Sequence, residues 1–103
     1  MPLEEIDAEE ILIVDDELPI RRLVARVLQL AGFRCALAGT GAEARRLLAE
    51  RPFALALCDL TLPDVTGLSL IEHVAAHYPQ TGIVLVTGVD DPQIASRAID
   101  LGA

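Results

Sequence analysis

Three short apolar runs in this chain each stop at residues suited to oxygen chemistry. Ile11-Leu12-Ile13-Val14 stops at Asp15-Asp16-Glu17, Phe53-Ala54-Leu55-Ala56-Leu57-Cys58 stops at Asp59, and Ile83-Val84-Leu85-Val86 stops at Thr87-Gly88. None of the runs alternates apolar with polar residues. Continuous apolar runs of this length predict strands covered on both faces, as in parallel sheets. If the runs are neighbouring parallel strands, three carboxylates and a hydroxyl converge at one edge of one sheet.

The segments between the runs read as helices. Pro19 suits a first helical turn, and Ile20, Leu23, Val24, Val27, Leu28 and Ala31 follow at helical spacing. Gly32 is placed to stop that helix in a left-handed conformation. Phe33 to Ala38 reads as a further strand. Thr40-Gly41-Ala42-Glu43 is a capping box that opens a helix burying Ala44, Leu47 and Leu48, and Pro52 ends it. A third helix runs from about Thr66 to His77, with Leu68, Ile71, Val74 and Ala75 inward. Asp91-Pro92 opens a fourth, through Ile94, Ala95, Ala98 and Leu101.

The order βαβαβαβα predicts an α/β fold, a doubly wound parallel sheet with helices on both faces. Ligands in such sheets sit beyond the carboxyl ends of the strands, at the topological switch point. In the strand order 2-1-3-4-5 that point lies between strands 1 and 3, where Asp15, Asp16 and Asp59 fall.

The 103 residues suffice for one small domain, and 52% of them are apolar, enough for a core. Residues 1–9 read as an acidic leader and 10–103 as the folded unit. The net charge of −8 argues against nucleic acid or an anionic membrane as a partner of this domain. No apolar stretch approaches the ~20 residues of a membrane span. The acidic N-terminus is unlike a secretory signal, so a cytoplasmic location is expected. Cys35 and Cys58 fall in predicted strands and read as small core residues without a disulfide.

Like unit charges ~4 Å apart repel by ~4 kcal/mol at an effective dielectric near 20. Three clustered carboxylates therefore call for a proton or a cation, and Mg²⁺ suits an all-oxygen set. A carboxylate can also act as a nucleophile towards phosphorus. Thr87 is placed to hydrogen-bond a phosphoryl oxygen, with Gly88 leaving room beside it.

In these residues the chain resembles the receiver domain of two-component response regulators, which has a flavodoxin-like fold. The resemblance covers residues 10 to 103. It rests on Asp15-Asp16-Glu17, on Asp59-Leu60-Thr61-Leu62-Pro63-Asp64-Val65-Thr66-Gly67, on Val86-Thr87-Gly88, and on the closing Ala98-Ile99-Asp100-Leu101-Gly102-Ala103. It implies that Asp59 is the phosphoacceptor in a Mg²⁺-dependent reaction. Asp16 would be a direct metal ligand, Asp15 would hold metal-bound water, and the Thr61 carbonyl would complete the protein ligands. Thr87 would be the switch hydroxyl. The implied donor is a sensor histidine kinase or phosphotransfer protein. A homodimer through the strand 4/helix 4 face is a further implied partner, and the domain is expected to be a switch, not an enzyme.

One part of the family pattern is missing. Receiver domains place a Lys at the end of a fifth strand, and all eight basic residues here are Arg. A chain cut before strand 5 and helix 5 is the expectation, with (βα)4 present. Such a cut would leave strand 4 as an open, association-prone edge. A degenerate, phosphorylation-independent receiver is the alternative. A haloacid-dehalogenase-type phosphohydrolase also uses an Asp nucleophile, but wants a second Asp where this chain has Thr61.

The remaining polar residues have plainer readings. His73 and His77 are i,i+4 on one helix without a zinc signature and read as solvated. Arg21, Arg22, Arg26, Arg45 and Arg46 read as solvated helix faces. Gly39 and Gly41 do not fit a dinucleotide loop.

Overall fold

The computed structural model describes residues 10–59 and 62–86. Four strands form one parallel sheet: β1 (Glu10–Val14), β2 (Arg34–Ala38), β3 (Leu55–Asp59) and β4 (Gly82–Val86). Three helices connect them: α1 (Leu18–Leu30), α2 (Gly41–Glu50) and α3 (Gly67–His77). The strand order is β2-β1-β3-β4. The expected doubly wound, flavodoxin-like sheet is therefore present, with the switch between β1 and β3. The predicted leader 1–9 and the predicted helix of residues 91–101 lie outside the described residues, as do Thr61 and Thr87.

Side-chain alternation along the strands sorts the core into two layers. Leu12, Val14, Ala36, Ala38, Ala56 and Cys58 pack against Ala44, Leu47 and Leu48 of α2 and Leu70, Ile71 and Val74 of α3. Ile11 and Ile13 point the other way, onto Ala25 of α1, with Val24, Leu28, Cys35, Leu55 and Leu57 around them. All four residues Ile11–Val14 are buried, as a central strand covered on both faces requires. Along β4 this expectation fails at Val84, which is 42% exposed. Among the described residues β4 is the edge of the sheet, and only one layer covers it.

The helix ends follow the sequence closely. Pro19 stands in the first turn of α1. Gly32, with φ of 100°, stops that helix. The Gly32 amide donates to the Gln29 carbonyl and the Phe33 amide to the Leu28 carbonyl, a Schellman pair. The buried face of α1 differs from the predicted stripe. Ala25 is buried, Val24 and Leu28 are half-buried, but Leu23 is 61% and Val27 58% exposed. Among the described residues the sheet surface that α1 covers is narrower than this stripe. At α2 the Thr40 hydroxyl accepts from the Glu43 amide, as a capping box requires. The Glu43 carboxylate reaches one residue further back than expected, to the Gly39 amide. In α3, Leu70 joins the predicted Ile71 and Val74 as fully buried, and Leu68 and Ala75 pack at the margin.

Leu70 belongs to the core cluster that joins the sheet to α2 and α3, and it has no exposure. Leu70→Ala is expected to lower stability by about 3 kcal/mol, since the emptied volume cannot collapse fully. Urea unfolding followed by circular dichroism measures it.

Candidate functional site

The strand register builds the site. Val14 of β1 lies opposite both Ala38 of β2 and Cys58 of β3. The next residues along β1 and β3 are Asp15 and Asp59, so they emerge level on adjacent strands. The Asp15 amide continues the ladder by donating to the Ala38 carbonyl at 3.0 Å. Asp59 is paired in register with Val86 of β4. Oxygen atoms of Asp15, Asp16 and Asp59 all lie within 4.8 Å of one another. Asp15 is nearly buried at 9% exposure, Asp59 half-buried and Asp16 exposed. The structure thus brings together the three carboxylates that the sequence singled out.

The donor set suits a hard divalent cation: every side-chain ligand is a carboxylate oxygen, and the exposed Asp16 leaves a face open to water. Among the described residues no other group of three His, Cys, Asp or Glu could hold an ion. His73 and His77 stack at 4.5 Å on α3, and the His77 Nδ1 lies 3.0 Å from the His73 carbonyl. Burial, then the charges of Arg45 and His77, hold the His73 ring below its ordinary pKa. Cys58, one residue before Asp59, is fully buried and its thiol is pushed up to about 12 by that burial. Both cysteines are free.

Asp15-Asp16-Glu17 is more than an acidic lead into α1. One Asp15 oxygen accepts from the Glu17 amide at 2.9 Å, which fixes the turn. Glu17 occupies the N-cap position but makes no side-chain cap.

Two residues outside the predicted set shape the site's walls. Arg21 reads from sequence as a solvated helix residue, yet it is half-buried. Its Nη1 donates to the Asp15 carbonyl at 2.6 Å, and its Nε is buried without a hydrogen-bond partner. A Cβ at Gly39 would stand 2.7 Å from that Nη1, so the glycine admits the guanidinium. Asp64, in the loop after β3, reaches across to α2. Its two oxygens accept from the Gly41 and Ala42 amides at 2.8 and 3.0 Å. A Cβ at Gly41 would clash with Cγ2 of Val65. The only sequence signal for this contact was glycine on both sides of Thr40, which has many readings.

A profile of the response regulator receiver domain matches residues 11–103. The chain belongs to that family. The regulator PilR of Pseudomonas aeruginosa is 38% identical over 95 residues, which is 92% of this chain and 21% of PilR. The photosynthetic apparatus regulatory protein RegA of Rhodovulum sulfidophilum is also 38% identical, over 90% of this chain and 51% of RegA. The chain thus spans about a fifth of the first relative and half of the second. Among solved structures, a CheY-like receiver domain protein from Methanospirillum hungatei superposes with a TM-score of 0.89 at 30% identity, covering 92% of this chain and 76% of that one. A response regulator from Burkholderia pseudomallei, with a phosphorylated aspartic acid, calcium ion and citrate, gives 0.88 at 29%, over 92% of this chain and 56% of that one. Receiver domains are regulatory modules of two-component systems and generally bind Mg²⁺ at an acidic pocket.

Backbone hydrogen bonds from Gly41 and Ala42 hold the Asp64 carboxyl below its ordinary pKa. A depressed value means that its contribution is complete above the usual Asp pKa of ~3.9 and is lost as pH falls through the folded value. The Gly41 and Ala42 amide proton shifts are expected to titrate together below that pH, and Asp64→Asn should abolish the titration. Two-dimensional NMR across the acid range reads both.

Proposed function

We propose that this receiver domain is a phosphorylation switch with Asp59 as phosphoacceptor. The observation that carries the reading is the meeting of the Asp15, Asp16 and Asp59 carboxylates within 4.8 Å at the β1/β3 switch point. The phosphorylated aspartate and calcium ion of the Burkholderia relative support it.

The reaction is a transfer from a phosphohistidine on a sensor kinase or phosphotransfer protein. An Asp59 carboxylate oxygen attacks phosphorus, a P–O bond forms and the P–N bond breaks. The histidine leaves and takes up a proton from solvent. Asp15 and Asp16, with Asp59 and the Thr61 carbonyl, would hold a divalent cation. Mg²⁺ bound there offsets negative charge on the carboxylates and on the transferring phosphoryl group. The chain's own contribution is placement. The β3 ladder fixes Asp59, and the Glu17 amide fixes the Asp15 carboxylate.

Transfer adds a charge of about −1.5 to −2 at neutral pH. Thr87 follows Val86, the register partner of Asp59, and is the proposed hydroxyl that the new phosphoryl group attracts. The loop after β4 and the helix beyond it would then shift between two populations. That face is the proposed surface for an output domain or a second receiver. Among the described residues no helix is long and apolar enough to cross a membrane, and a cytoplasmic setting belongs to the same reading.

Incubation with acetyl phosphate and Mg²⁺ is expected to label the protein. Asp59→Asn and chelation by EDTA should each abolish the label. Asp16→Asn should raise the Mg²⁺ needed for half-maximal labelling by roughly tenfold or more, the cost of losing a metal ligand's support. Labelling that persists in Asp59→Asn would sink the assignment.

A further inference from the structure

Asp59 and Asp64 bracket a four-residue stretch whose near end is fixed by the β3 ladder. The far end is held by something other than a sheet. The Gly41 and Ala42 amides are the first two orphan donors of α2, and the Thr40 hydroxyl takes the third, from Glu43. Asp64 therefore completes the cap of a helix 22 to 23 residues upstream. The helix N-terminus also favours the carboxylate electrostatically. Beside it, Val65 lies over Gly41 so closely that no side chain larger than hydrogen fits there. Leu62 is buried in the core at 8% exposure. Residues 62–65 are thus pinned by an apolar side chain, a steric contact and a carboxylate held by two amides.

Resting on the reading of Asp59 as phosphoacceptor, we propose that Asp64 is a positioning residue, clamping the β3–α3 loop to the first turn of α2 so that the metal-binding side of the site keeps its geometry. Asp64 bonds to the amides of α2 and is not one of the clustered carboxylates. It acts through the loop, which carries Thr61 between its two anchors. A carboxylate suits the task because it accepts from two amides at once. An amide side chain offers one acceptor and turns a donor towards the second N–H.

The test separates clamping from plain helix stabilisation. Mg²⁺ affinity is measured directly by calorimetry, and acetyl phosphate labelling as a function of Mg²⁺, in the intact protein and in Asp64→Ala, Asp64→Asn and Thr40→Ala. Asp64→Ala is expected to weaken Mg²⁺ binding roughly tenfold, the usual cost of removing an outer-shell support. Asp64→Asn, isosteric and with one acceptor left, should fall between it and the wild type. Thr40→Ala removes a cap of the same helix without touching the loop, and should lower the melting temperature while leaving Mg²⁺ affinity within about twofold. Hydrogen exchange at residues 62–66 should quicken in both Asp64 variants only. A folded Asp64→Asn with wild-type affinity and exchange overturns the proposal. So does a Thr40→Ala variant that loses as much affinity as Asp64→Asn. Wild-type protein that neither binds Mg²⁺ nor labels overturns the reading of the site itself.

Discussion

In-register parallel pairing on both sides of β1 is the constraint from which the site follows. Val14 has Ala38 on one flank and Cys58 on the other. That single alignment makes Asp15 and Asp59 level and sets Asp16 just beyond them. A slip of one residue would turn every side chain of a strand to the opposite layer. The slip would place Ile11 and Ile13 among the residues that pack α2 and α3, and Leu12 and Val14 under α1. A slip would also carry Glu10 or Asp15 into the apolar layers, and that resists it. The hydrophobic core and the acidic site are therefore fixed by one and the same alignment.

Much of this was legible in the chain because strand ends and helix stops carry local signals. Apolar runs closed by Asp, Pro19 in a first turn, Gly32 after a last turn and Thr40-x-x-Glu43 each act within a few residues. The carboxylate cluster was legible through topology, since the parallel order puts strands 1 and 3 side by side. The boundaries moved slightly: Phe53 is buried but precedes β3, and Asp59 is the last residue of that strand. The exposed Leu23 and Val27 of α1 show that periodicity reports an apolar face and not the width of the surface beneath it. Arg21 and Asp64 were missed for a different reason. Arg21 acts on the Asp15 carbonyl six residues back, just past the end of β1, and Asp64 on the amides of α2 22 to 23 residues back, and no spacing rule points to either pair.

The β2–α2 corner is where those long-range contacts gather. Ala38 receives the Asp15 amide, Gly39 admits Arg21, and Gly41 and Ala42 receive Asp64. Neither glycine there has a positive φ. Their value is the missing side chain, which lets a guanidinium and a valine approach the backbone. The corner carries none of the reactive groups, yet the Asp15 turn and the Asp64 loop both lean on it.

The clamp between Asp64 and α2 also orders events in time. A helix normally finds its capping group within its own first residues, and α2 has one such group in Thr40. Its first two amides wait instead for a carboxylate that arrives only after β3 has paired with β1 and the chain has turned towards α3. Contacts between distant segments form late, because closing a long loop costs entropy before any bond repays it. In a partly folded chain the start of α2 would frays into water, while the end of the helix, nearer Leu47 and Leu48, has its local bonds. The first turn of α2 is then among the last pieces of the molecule to become solid, and its amides mark the moment when β3 and the segment after it have reached their final place.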